Sequence, residues 1–287
     1  MKKESFAALV VPTVALLSLS LAAGAFARRP VRQQVAKKGV GSYLNVSKAV
    51  ANMTALHVGW YYNWGTVPYA APPGVQFVPM IWSHKYVNDG KLKAAKAAGA
   101  AGAGVLLGFN EPDNGGQANM TVDQAIADWP KLMATGLRLG SPAPVGGDDF
   151  TPNSWLSRFM DQAKARHLRV DFVCIHPYQA NFDPTQATAD LKREIEHVHT
   201  RYGLPIWVTE YGMVNWSNNT YPDAATAARF AVESAAMMDR LPYVERYAWY
   251  SLIPDQHTLS LTNSDGSLNV IGEAWASASG GVRKARH

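Results

Sequence analysis

The sequence predicts a single (β/α)8 TIM barrel of the α/β class. Eight short runs rich in β-branched and aromatic residues follow one another along the chain, and amphipathic stretches fill most of the gaps between them. The length is the third observation: the chain has 287 residues, and such a barrel takes roughly 250, which leaves no room for a second domain. An open doubly wound sheet is the alternative. It usually brings a glycine-rich phosphate loop after its first strand, and no GxGxxG or GxxxxGK pattern occurs here.

The first four strand runs are "GVGSYL" (39–44), "LHVGWYYNW" (56–64), "VQFVPMIW" (75–82) and "GVLLGFNEP" (104–112). "LRLGSPAP" (137–144), "VDFVCIHPY" (170–178), "LPIWVTEYG" (204–212) and "RYAWYSLI" (246–253) complete the eight. Helices are expected over 88–100, 121–136, 154–167, 185–203 and 224–241, where apolar residues recur at helical spacing opposite Lys, Arg, Asp and Glu. "TVDQ" at 121–124 is a helix-start box, a threonine followed three residues on by a glutamine. The stretch 259–275 reads as a hairpin around "SDG" and a last short helix. In the second run, Trp60 and Tyr62 alternate with Tyr61, so one set enters the barrel and the other faces outward.

Residues 1–27 are a different material. Lys2 and Lys3 precede a long apolar run that ends in Ala25-Phe26-Ala27. A charged start, an apolar middle and small residues at the end describe a signal peptide cleaved after Ala27, with an uncleaved anchor as the alternative. Secretion to the extracellular space or the periplasm is therefore expected, with no membrane contact after cleavage. A basic tail follows at 28–37, the barrel domain is placed at 38–276, and a C-terminal tail at 277–287.

The net charge of +5 concentrates in "RRPVRQQVAKK" (28–38) and "RKAR" (283–286), with no aromatics interleaved, which argues against nucleic acid as a partner. Cys174 is the only cysteine and sits mid-run, as a buried small hydrophobe would. His57, His84, His167, His176, His197, His199 and His257 are scattered, and neither HExxH nor CxxC occurs, so no metal or other cofactor is expected. There is no GxSxG elbow for a serine nucleophile.

Active sites of such barrels form at the C-terminal ends of the strands. Here those ends read "WYYNW", "IW", "NEPD", "SPAP", "HPY", "TEYG" and "WYS". Two carry glutamates: Glu111 would end strand 4 and Glu210 strand 7. Around them lie aromatic residues and hydrogen-bonding groups, among them Tyr62, Asn63, Trp82, Asn110, His176, Tyr178 and Trp249. Aromatic faces with a few placed polar groups suit sugar rings, and a pair of carboxylates is the toolkit of glycosidic cleavage. Either glutamate alone could be a salt-bridge partner, Asn110 could cap a turn, and His176 could be a core histidine. Trp64 and Trp82 are open between sugar platform and rim packing. Trp155, Trp207 and Trp216 read as structural, although Trp216 could line a cleft.

"KKGVG", "WYYNWG", "LLGFNEPD", "SPAP", "HPY", "WVTEYG" and "YAWYS", in this order, resemble glycoside hydrolase family 128, over about Lys38 to Trp275. That resemblance implies an endo-β-1,3-glucanase working by double displacement on laminarin-type β-glucan. Glu111 would be the acid/base and Glu210 the nucleophile. Asn110 would bond the sugar 2-hydroxyl, Tyr178 would sit near the nucleophile, and Trp249 would form the floor under the sugar being cleaved. Pro177, the spacer of "HPY", stands where a bulkier residue is expected and implies an altered subsite wall. A β-glucan-binding protein on the same scaffold, or a hydrolase of β-1,4-mannan or β-1,4-glucan, is the alternative. An open cleft of this kind needs no partner subunit, so a monomer is expected.

Overall fold

The computed structural model describes residues 36–43, 48–146, 151–254 and 257–278. The expected leader, most of the basic segment and most of the C-terminal tail lie outside the described residues. Eight parallel strands occur in the expected order: β1 (Lys38–Gly41), β2 (Trp60–Tyr62), β3 (Gln76–Phe77), β4 (Val105–Leu106), β5 (Arg138–Leu139), β6 (Val173–Ile175), β7 (Ile206–Tyr211) and β8 (Val244–Trp249). Six of them pair in the order β3-β2-β1-β8-β7-β6, and β4 pairs with β5. Parallel bridges at Met80–Leu107 and Gly140–Phe172 join these two pieces on both sides and close the barrel.

The helices are α1 (Ala49–Ala55), α2 (Asp89–Ala101), α3 (Val122–Met133), α4 (Trp155–Ala165), α5 (Pro184–Tyr202), α6 (Ala224–Arg240) and α7 (Val270–Ser277). The Thr121/Gln124 box forms in full at the start of α3. Asp183 caps α5 with Pro184 behind it, and Gly203, at φ 64°, ends that helix. The short α1 was not marked by any periodic run. Between β2 and β3 there is no helix, because Pro68, Pro72 and Pro73 interrupt the connection. Asn263 and Ser267 pair across the "SDG" turn as expected. Among the described residues no helix is long and apolar enough to cross a membrane.

Strand alternation sorts the core into two layers. Trp60, Tyr62, Met80, Leu107, Phe172, Cys174, Trp207 and Ala248 fill the barrel interior, whereas Tyr61, Val208, Tyr211, Tyr247 and Trp249 pack outward among the helices. Arg246 plugs the N-terminal end of the barrel: its guanidinium lies 4.6 Å from the Trp207 ring and 5.6 Å from that of Trp60. Lys37 is no part of a free tail, since its amine donates to the carbonyls of Met238, Asp239 and Leu241 at the end of α6. Lys38 does the same for α7 through Trp275 O and Ala278 O, as cations do at helix C-termini. Burial draws the Lys38 amine down to about 8 against the opposing charge of Asp239, and a neutral amine still has a proton for each carbonyl.

Gly39 lies bare beneath the Trp60 indole, where an added Cβ would stand 2.2 Å from Cε2. The ring is held between Tyr62 and Arg246 and cannot retreat. Gly39→Ala is expected to cost about 1–3 kcal/mol of stability, read as a lower melting temperature. An unchanged melt would show that the ring yields.

Candidate active site

Glu111 stands just beyond β4, on backbone held from both sides. Asn110 N donates to Trp82 O at 3.0 Å, Glu111 N to Ala143 O at 2.7 Å, and Asn114 N to Glu111 O at 3.1 Å. The glutamate itself has φ 43°, a left-handed conformation costly for a side chain of this size and commonest at functional sites. Pro112 follows and donates no hydrogen bond, so strand pairing stops at the carboxylate.

Glu210 is aimed by an irregularity. Val208 and Tyr211 both face the helices, which strict alternation would not allow. The β7–β8 register shifts between them, and the shift turns Thr209 and Glu210 together toward the barrel mouth, as bulges do. There the residue is 5% exposed. Oε1 accepts from Trp64 Nε1 at 2.8 Å and from Tyr62 OH at 3.1 Å, and Oε2 accepts from Tyr178 OH at 2.7 Å. Burial, together with the Glu210 charge, holds both phenols far above their usual range, so they remain donors.

His176 stands between the two acids, with Nδ1 3.1 Å from Glu111 Oε1 and 3.7 Å from Glu210 Oε2. Burial alone would draw its imidazole down. The Glu210 charge, the Glu111 hydrogen bond and the charges of Glu111 and Asp113 outweigh burial and hold it above its ordinary value. One atom from each of Glu111, His176 and Glu210 lies within 4.8 Å of the others, the sole such grouping among the described residues that could offer ligands to a metal ion. Both oxygens of Glu210 already accept from neutral donors, which suits a free carboxylate better than a metal ligand.

The cleft above this centre measures about 670 Å³. Glu111, Glu210, Asn110, Asn63, Trp82, Tyr178 and Trp64 line it. Asn110 offers a buried Oδ1 with no partner in the described protein, while the Asn63 amide is spent on its own loop, at Val67 O and Gly65 N. Four expectations require correction. Tyr62 and His176 are fully buried and touch the carboxylates, not the open cleft. Trp249 is also fully buried, donates to Leu259 O and packs among Tyr211, Phe230 and Trp275. It shares the outward parity of Tyr247, so Tyr250 reaches the cleft instead. The same alternation, counted from Ala248, was the available signal. Pro177 does not line the cleft, so it alters no wall directly. Exposed Trp216 does line it, edge-on to Tyr178. Tyr43, Tyr86 and Gln117 also line it, and no motif marked them.

The glycosyl hydrolase catalytic core family matches residues 41–275. A subgroup I endo-β-1,3-glucanase of glycoside hydrolase family 128 from Amycolatopsis mediterranei, solved with laminaritriose, is 43% identical with a TM-score of 0.80, over 85% of this chain and all of that one. The chain belongs to glycoside hydrolase family 128. Family 128 is not uniform in activity. A subgroup VII member from Trichoderma gamsii, described as an oligosaccharide-binding protein, is 25% identical with a TM-score of 0.66, over 88% of this chain and 97% of that one. Alkali-sensitive linkage protein 1 of Schizosaccharomyces pombe is 29% identical over 77% of this chain, which spans only 40% of that protein's length.

Because the folded value of His176 lies above its ordinary one near 6.5, its proton favours the folded state. That contribution is complete below about pH 6.5 and is lost as the pH rises through the folded value. Melts of the wild type and His176→Phe between about pH 6 and about pH 9 should show the wild type losing stability relative to the variant as pH rises. Parallel curves would mean that His176 takes up no proton on folding.

Proposed function

We propose that the chain is a secreted, retaining β-1,3-glucanase that cleaves within laminarin-type chains. The observation that carries this reading is the separation of the two acids. Oxygens of Glu111 and Glu210 lie within 4.8 Å of each other, in keeping with the roughly 5–5.5 Å of retaining enzymes and too close for the water of an inverting one, which needs roughly 6.5–9.5 Å. Glu210, ionised among its three donors, attacks the anomeric carbon while Glu111 gives its proton to the departing glycosidic oxygen. The glycosyl ester on Glu210 is then hydrolysed by a water that Glu111 deprotonates, which restores both groups. The unpartnered Asn110 Oδ1 accepts from the sugar 2-hydroxyl, where a bond that tightens in the transition state counts most. Related enzymes bind laminari-oligosaccharides, and aromatic walls give this cleft the stacking surface that such rings require. The apolar leader over residues 1–27 supports secretion.

The test is product analysis on laminarin, lichenan, cellulose and mannan, with the anomer first released read by NMR. Laminarin should yield oligosaccharides as the β-anomer. Glu210→Gln should abolish release while keeping oligosaccharide binding. Glu111→Ala should lose about 10²–10⁴-fold on laminarin but far less on a dinitrophenyl glycoside, whose leaving group needs no acid. The α-anomer would refute retention. Binding without release by the wild type would make this chain a glucan-binding protein.

A further inference from the structure

We propose that Trp64, whose ring also lines the cleft, is the positioning residue for the nucleophile through its indole N–H. This rests on the reading of Glu210 as the nucleophile. Trp64 Nε1 donates to Glu210 Oε1 at 2.8 Å, against 3.1 Å for the Tyr62 hydroxyl on the same oxygen. Among the described residues no lysine or arginine forms an ion pair with Glu210. The carboxylate is therefore oriented by neutral donors, and Trp64 makes the shorter contact on Oε1.

The fold goes to some length to hold that N–H in place. Trp64 has φ 57°, a left-handed conformation that a bulky residue rarely adopts. Its ring is caged by Tyr43 and Tyr62, each with a centroid 4.9 Å away, and by Tyr250 at 5.8 Å. Gly41 gives the ring its space, since a Cβ there would stand 2.8 Å from Cη2. A stacking platform needs only an exposed face. A strained backbone, a bare glycine and an aromatic cage fix the direction of one N–H.

The arrangement also separates the two oxygens of the nucleophile. Oε1 is pinned by two donors, whereas Oε2 lies 3.7 Å from His176 Nδ1, the ring that also contacts Glu111, and among the described residues accepts from Tyr178 alone. Oε2 is thus the attacking atom. Oε1 becomes the ester carbonyl and keeps its indole hydrogen bond through the step, so the carboxylate plane does not turn as its charge is lost.

The experiment compares wild type, Trp64→Phe, and a chain carrying β-(3-benzothienyl)alanine at position 64, which keeps the indole shape with sulfur in place of N–H. The probe is 2-deoxy-2-fluoro-β-laminaribiosyl fluoride, which traps the glycosyl ester. The saturating rate of labelling is read by mass spectrometry and the Kd for laminaritetraose by calorimetry. In wild type the label should map to Glu210. Both variants should label about 10- to 100-fold more slowly, with Kd held within about threefold. Labelling within about threefold of wild type by the benzothienyl protein would overturn the proposal, whatever happens to Kd. If Trp64→Phe fails to fold, the isosteric variant decides alone. Wild-type label on any residue other than Glu210, or none, would overturn the nucleophile assignment itself and the proposal with it.

Discussion

Two carboxyl groups with oxygens within 4.8 Å of each other, one of them almost fully buried, are the constraint around which this molecule is organised. Two charges so close and so poorly hydrated would repel strongly, and a desolvated carboxylate must be compensated by donors. Compensation comes from every side of the barrel mouth. The β2 end supplies Tyr62 and Trp64, β6 supplies His176 and Tyr178, and β4 and β7 supply the acids. Hydrogen bonds to a charged group are worth about 1.5–3 kcal/mol each, so the three donors on Glu210 offset much of its desolvation. No single βα unit could provide them. The closed barrel brings together residues more than a hundred positions apart.

The same closure needs a rigid floor. Below the carboxylates the barrel is filled by Trp60, Phe172 and Trp207, with Arg246 stacked beneath them and bonded to Gln76. Glycine at position 39 admits the Trp60 ring. Lys37 and Lys38 tie the start of β1 to the C-terminal ends of α6 and α7, and α7 in turn packs Trp275 against Trp249 and Tyr211. A chain of direct packing therefore runs from the first strand, through the last helix, to the residues flanking Glu210.

Family 128 contains endo-acting enzymes and a protein described as oligosaccharide-binding on one scaffold. Aromatic walls alone suffice to bind a glucan. Turnover demands in addition two acids held in different environments, and here hydroxyl and indole donors surround Glu210 while an imidazole stands beside Glu111. A barrel mouth surrounded by loops can exchange such neighbours without disturbing the sheet.

The sequence by itself determined the eight strands, five of the long helices, the capping box at Thr121 and the two glutamates, because each is a local pattern: a run of fixed period, a cap at fixed offset, a charge where an apolar run stops. It also marked Asn110, Trp82 and Tyr178 as cleft residues. It could not place side chains whose direction depends on breaks in the pattern. Glu210 has the parity of outward Val208 and reaches the mouth only through a register shift set by pairing with β8. Trp249 looked like a floor for sugar, yet it keeps the outward parity of Tyr247 and yields the cleft to Tyr250. Trp64 reads as one more aromatic until the backbone at φ 57° turns its N–H onto a carboxylate 146 residues away. Local physics decides which segments become strands and where charges end them. Which way a residue faces at a strand end is decided by neighbours distant in the chain, and only the closed barrel supplies those.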